Sequence, residues 1–164
     1  VVIMGYDEHY AGSPEAGPGN RPMISLRTGS KPPWKSAGRK VISGIPFFTR
    51  LWQETPKTEE EIAAAAGTDE AEYTTNVTSE ALGMTAAADT VAQAGVTATW
   101  DEDAQQNYAT WEVEGVSYKI WLEDAESIEP KLKLMKENGL AGTAAWALGQ
   151  ESSDIWTLIQ QYVN

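Results

Sequence analysis

Side chains able to donate, accept or stack crowd the end of one apolar run. Val1-Val2-Ile3-Met4 reads as a strand buried on both faces, and Gly5 leads it into Tyr6, Asp7, Glu8, His9 and Tyr10. A phenol beside carboxylates is equipment for holding a polar ligand through hydrogen bonds. In parallel α/β folds, and in βα barrels above all, such residues sit at the carboxyl ends of strands, because helices cover the remaining faces. His9 is the only histidine, too few for a metal site, and a hydrogen-bonded structural role suits it better than that of general base. The absence of cysteine removes disulfides, thiolate metal ligands and a cysteine nucleophile. Neither a metal nor any other cofactor is expected.

Trp34, Trp52, Trp100, Trp111, Trp121, Trp146 and Trp156 supply large flat apolar faces, which core packing and sugar stacking both use. Most are assigned to the core. The formal charge of -12, from 24 acidic and 12 basic residues without a Lys/Arg cluster, argues against nucleic acid or an anionic membrane as partner. No apolar run approaches the roughly 18 residues that would span a bilayer, so membrane insertion is not expected. With 164 residues and 41% hydrophobic content, one core and one domain are the starting expectation. Residue 1 already lies inside a buried-strand pattern, which suggests a fragment of a longer protein.

The elements that would position the first cluster follow in order. Ala11 to Lys40 is rich in Gly, Pro and Ser; Met23-Ile24-Ser25-Leu26 could begin a helix that Gly29 and Pro32-Pro33 would stop. Val41 to Phe48 is a second apolar run ending in Thr49-Arg50-Leu51-Trp52, with Gly44 and Pro46 tolerable near a strand end. Thr58-Glu59-Glu60-Glu61 matches a capping box for a short Ala-rich helix closed by Gly67, and Ser79 to Ala94 reads as another helix. Val96 to Trp100, Tyr108 to Val113 and Val116 to Leu122 alternate β-branched and aromatic residues, with a tight turn at Glu114-Gly115. Ser127 is expected to cap a helix carrying Ile128, Leu132 and Met135, ending at Gly139. Gly142 to Gly149 reads as a third strand, and a last helix starts near Asp154 with Ile155, Leu158, Ile159 and Tyr162 on one face.

Met4-Gly5-Tyr6-Asp7-Glu8-His9 resembles the sixth-strand signature, M-x-Y-D, of glycoside hydrolase family 18, the chitinase-like (β/α)8 barrels. Gly44-Ile45-Pro46-Phe47-Phe48-Thr49-Arg50-Leu51-Trp52 is similar to the seventh-strand motif of that family, and Gly142-Thr143-Ala144-Ala145-Trp146 to the eighth. Tyr118-Lys119-Ile120-Trp121-Leu122-Glu123-Asp124, followed by Ser127 and Lys131-Leu132, resembles most the bacterial branch with spore-germination and peptidoglycan-processing members. The resemblance implies an α/β fold: the last three βα units of a (β/α)8 TIM barrel, residues 1–52 and 125–164, with a small α+β insertion, residues 53–124, between strands seven and eight. Phe48 stands where many relatives have Tyr, and the helix expected between strands six and seven is broken by Gly29 and Pro32-Pro33.

The same resemblance implies substrate-assisted retention, in which the 2-acetamido oxygen of the sugar attacks the anomeric carbon while a carboxylic acid protonates the leaving oxygen. Tyr6 would donate to the acetamido carbonyl, and Asp7 would contact the sugar or orient its neighbours. Trp146 would form the floor under the reacting sugar, with Glu8, Arg50 and Trp52 as further substrate contacts. For Arg50 a plain salt bridge to Asp7 or Glu8 is an equal alternative. The family's acid ends a D-x-x-D-x-D-x-E motif on the fourth strand, and no such spacing occurs in this sequence, so the chain alone is expected to be inactive.

The expected partner is an N-acetylglucosamine-containing polymer, chitin-like or peptidoglycan, met outside the cell or in the bacterial envelope. The competing class is a non-catalytic, lectin-like barrel. Three strands cannot close a barrel, so self-association of the chain is expected. Trp100, Trp111 and Trp121 fall on the insertion, where cross-strand packing is the first reading and sugar contact the second. Asp101-Glu102-Asp103 lacks the glycine and distal glutamate of a calcium loop and reads as an exposed turn. Asn76-Val77-Thr78 fits a glycosylation sequon.

Overall fold

A computed structural model describes residues 1–20 and 40–163. The helix start at Met23-Ile24-Ser25-Leu26 and its stop at Gly29 and Pro32-Pro33 lie outside the described residues. Three short strands, β1 (Val2–Met4), β2 (Ile42–Pro46) and β8 (Gly142–Trp146), form a parallel sheet in the order β1-β2-β8. β2 is central and buried along most of its length. β1 has a partner on one side only, and Val1, Val2 and Met4 are 84%, 49% and 67% exposed. A strand buried on both faces was expected there; pairing confined to β2 leaves the apolar run open instead.

The second sheet is antiparallel and has five strands in the order β4-β3-β7-β6-β5: β3 (Phe48–Pro56), β4 (Thr75–Gly83), β5 (Thr99–Asp101), β6 (Gln106–Val113) and β7 (Val116–Leu122). Only Phe47 separates β2 from β3, so Thr49, Arg50, Leu51 and Trp52 lie inside a strand rather than in a loop. Ser79 to Gly83 is strand, not helix. β4 pairs with β3 along its whole length, and alternation of Thr75, Val77 and Ser79 with their neighbours suits a ladder better than a helix. The β6–β7 hairpin turns at Glu114 (φ 51) and Gly115 (φ 82), the pair of positive φ angles that a tight two-residue turn requires.

Four α-helices, α1 (Glu59–Ala65), α2 (Met84–Ala94), α3 (Ala125–Glu137) and α4 (Ile155–Val163), and a 3-10 turn at Asp69–Glu72 complete the described residues. α3 and α4 place Ile128, Leu132, Ile155 and Ile159 against Ile45 and Phe47 of the β2–β3 junction, forming one apolar core. α2 places Ala87 and Val91 against Leu51, Ala109 and Ile120, forming a second core on one face of the antiparallel sheet. Each fully buried aliphatic side chain contributes roughly 1.5–3 kcal/mol. Among the described residues no helix is long and apolar enough to cross a membrane.

Thr58 and Glu61 form the expected capping box of α1. The cap of α3 is Asp124 rather than Ser127. Its carboxylate accepts from the Ser127 backbone N–H, and the Ser127 hydroxyl accepts from the Asp124 N–H, so the serine is the inner member of the box. Next to it lies a buried charge network. The Lys131 Nζ donates to both Glu123 carboxylate oxygens at 2.9 Å, Ser127 Oγ donates at 2.8 Å, and Gln106 Nε2 donates at 2.9 Å. Glu123 is 1% exposed, and its partners come from β6 and α3, so the network ties the antiparallel sheet to the helices under the parallel one.

Candidate active site

Strand register sets the geometry of the first cluster. β1 ends at Met4, paired with Gly44, and β8 ends at Trp146, paired with Pro46, so Tyr6 and Trp146 both stand at the carboxyl end of the parallel sheet. Two strand spacings, about 10 Å, separate β1 from β8. Trp146 is 61% exposed, leaving its indole available to a ligand. The Trp146–Ala147 peptide bond is cis.

Tyr6 is half-buried. Its ring stands edge-on to Phe48, with centroids 6.0 Å apart at 83°. On the neighbouring strand, a β-carbon at Gly44 would come within 3.3 Å of the Tyr6 ring and 2.9 Å of the Ile3 carbonyl oxygen, so glycine there makes room for the phenol. Burial first, and the negative charge of Asp7 second, push the Tyr6 phenol above its ordinary value of 10.0. It is therefore a neutral donor at neutral pH.

Asp7 takes the left-handed backbone region (φ 61), uncommon for a residue with a side chain. Its backbone N–H reaches Asn20 Oδ1 at 3.4 Å, while Asn20 Nδ2 donates to the Phe48 carbonyl at 2.8 Å. Asn20 is 2% exposed and bridges the loop after β1 to the start of β3. Sequence reasoning missed this residue; Gly17-Pro18-Gly19-Asn20 signals a turn and nothing more. The loop is further held by Glu8 N–H donating to the Gly19 carbonyl (2.7 Å) and by His9 Nδ1 near the Pro18 carbonyl (3.1 Å). His9 packs so closely on Gly17 that a β-carbon there would lie 2.5 Å from the ring.

Arg50 Nη2 lies 3.4 Å from Asp7 Oδ1. The salt bridge left open by the sequence is present, and it brings β3 onto the same rim as Tyr6 and Asp7. Trp52 does not share that rim. It is 1% exposed, inside β3 between Ser79 of β4 and Lys119 of β7. Its indole has no surface for a sugar.

The family model described as glycosyl hydrolases family 18 matches residues 1–151. The chain belongs to that family. The cortical fragment-lytic enzyme of Bacillus anthracis is 29% identical to this family 18 chain, over 97% of the chain and 33% of that protein. The spore cortex-lytic enzyme SleL of Bacillus megaterium QM B1551 superposes with a TM-score of 0.67 at 26% identity, over 99% of this chain and 33% of that one. The SleL of Bacillus cereus superposes at 0.73 and 24% identity, with 99% and 34% covered, a likeness of fold. This family 18 chain thus spans about a third of the length of those relatives. The α/β fold is that of family 18 chitinase-like domains.

Proposed function

We propose that this chain is the last three βα units of a (β/α)8 barrel, residues 1–52 and 125–164 with 53–124 inserted, from a glycoside hydrolase of N-acetylglucosamine-containing polymers. The observation that carries the reading is that Tyr6 and Trp146 both stand at the carboxyl end of one parallel sheet, with Asp7 tied to Arg50 of the second sheet. Substrates are handled at that end in βα barrels. The open edge of β1, with Val2 and Met4 exposed, suits a strand that pairs with a preceding barrel strand.

In this reading Tyr6 donates to the acetamido carbonyl of the sugar. Its oxygen attacks the anomeric carbon, and the phenol stabilises the charge that develops on the acetamido group. Asp7, held by Arg50, orients that group. Trp146 offers a flat apolar floor to the reacting ring, and Glu8 lies on the rim as a further substrate contact. Protonation of the leaving oxygen falls to a carboxylic acid from another part of the parent protein.

The relatives named for spore cortex favour peptidoglycan over chitin as polymer, and hence a site of action in the cell envelope. Release of new reducing ends from spore-cortex peptidoglycan by the full-length protein tests the proposal. Release by the full-length protein, and none by residues 1–164 alone, is expected. Hydrolysis by the isolated chain would overturn the division of labour; binding without hydrolysis by the full-length protein would favour the lectin-like alternative.

A further inference from the structure

The start of α2 and the turn that follows Trp146 complete each other. α2 begins without a side-chain cap: its N-cap residue is Gly83, and the first N–H groups of a helix find no partner within it. The Met84 N–H is satisfied from outside, donating to the Gln150 carbonyl at 2.8 Å. Gly83 permits the approach, since a β-carbon there would lie 3.0 Å from that carbonyl oxygen and 3.2 Å from the Gln150 Cα. Two residues on, Ser152 directs its N–H and its hydroxyl at Met84 Sδ, at 3.4 and 3.6 Å. Met84 is 3% exposed and belongs to the core formed with Ile45 and Phe47, so the contact has a firm base.

Gln150 carries this hold back to Trp146. Its backbone N–H donates to the Ala147 carbonyl at 3.2 Å, closing a tight turn, and its side-chain Oε1 accepts from the Ala147 N–H at 3.4 Å. The Trp146 carbonyl accepts from the Phe47 N–H at 2.7 Å. Both polar groups of the peptide that joins Trp146 to Ala147 are therefore held, one by the β2–β3 junction and one by Gln150. Glu151 braces the rest of the turn, accepting from the Gly149 N–H at 2.6 Å and from Trp156 Nε1 at 3.2 Å. With its indole exposed, Trp146 depends on this backbone for its direction.

We propose that Gln150 is a positioning residue for the Trp146 floor, and that the insertion, through Gly83 and Met84, fixes the turn from which Gln150 acts. The inference rests on the proposed function, which gives Trp146 its place under the reacting sugar. An indole that must meet a sugar ring face to face tolerates little tilt, because a displacement of about 1 Å can cost on the order of a hundredfold in rate. Without the Oε1 acceptor the Ala147 N–H is released, and the indole reaches orientations that do not stack.

A double-mutant cycle on the full-length protein tests it, read as kcat/KM for release of reducing ends from solubilised spore-cortex peptidoglycan. Gln150→Ala and Gly83→Ala are each expected to lower kcat/KM about fivefold where Trp146 is present, and to change it little in a Trp146→Ala background. Gln150→Glu, which keeps an oxygen acceptor, is expected to stay near the wild type; a loss as large as that of Gln150→Ala would overturn the role of the acceptor. A purely structural role would lower the rate by the same factor in both backgrounds. That result would overturn the inference, as would a wild-type rate in Gln150→Ala. Absence of release by the wild type would instead overturn the proposed function itself.

Discussion

Tyr6 occupies space that a β-carbon on Gly44 would claim: the two come within 3.3 Å across adjacent strands, and the Ile3 carbonyl oxygen lies at 2.9 Å from the same point. The phenol is thus positioned by what its neighbour lacks. Gly44→Ala forces either the ring or the backbone of β1 to move, an overpacking expected to cost about 1–3 kcal/mol. Chemical denaturation would measure it, and a variant as stable as the wild type would contradict the packing described.

The phenol of Tyr6 is expected to titrate above the ordinary tyrosine value, held up by burial and by Asp7. Asp7→Asn removes the charge and should bring the titration down, though not to the value of a free tyrosine, because burial remains. Alkaline difference spectra of wild type, Asp7→Asn and Tyr6→Phe separate this phenol from the others. No change on Asp7→Asn would contradict the coupling.

Much of this was legible in the sequence where local chemistry and fold agree. The strand leading into Tyr6, the strand that carries Trp146, the hairpin at Glu114-Gly115 and the α3 face of Ile128, Leu132 and Met135 all carry short-range signals. Misreadings came where tertiary pairing decides. Ser79-Glu80-Ala81-Leu82 has helix-compatible residues, yet β3 claims it as a ladder partner. Trp52 reads as rim-bound in a motif but is a buried residue of a strand whose partners, β4 and β7, the motif does not contain. Asn20 acts through a side-chain bridge to Phe48, across 28 positions, which no local pattern encodes.

The buried Glu123–Lys131 pair predicts an asymmetry. Lys131→Met leaves a buried carboxylate without its cation and should cost about 3–5 kcal/mol, while Lys131→Met combined with Glu123→Gln should cost less than the single change. Burial, outweighing Lys131, pushes the Glu123 carboxyl above its ordinary 4.5. The folded state therefore binds the Glu123 proton more tightly than the unfolded chain does. That contribution is full below the ordinary glutamate range and declines as pH rises through the raised folded value. Urea denaturation over that range should show a shallower decline for Glu123→Gln; parallel curves would contradict it.

The exposed edge of β1 and the apolar Val1, Val2 and Met4 should make residues 1–164 associate when isolated. Light scattering is expected to report a mass above that of one chain. A monodisperse monomer would contradict the open-edge account.

The role given to Tyr6 is tested most directly by comparing an N-acetylated glucosamine oligomer with its de-N-acetylated counterpart, each titrated into the full-length protein and into its Tyr6→Phe variant. If the phenol holds the acetamido group, the wild type prefers the acetylated oligomer and Tyr6→Phe loses most of that preference. An undiminished preference in Tyr6→Phe would contradict it.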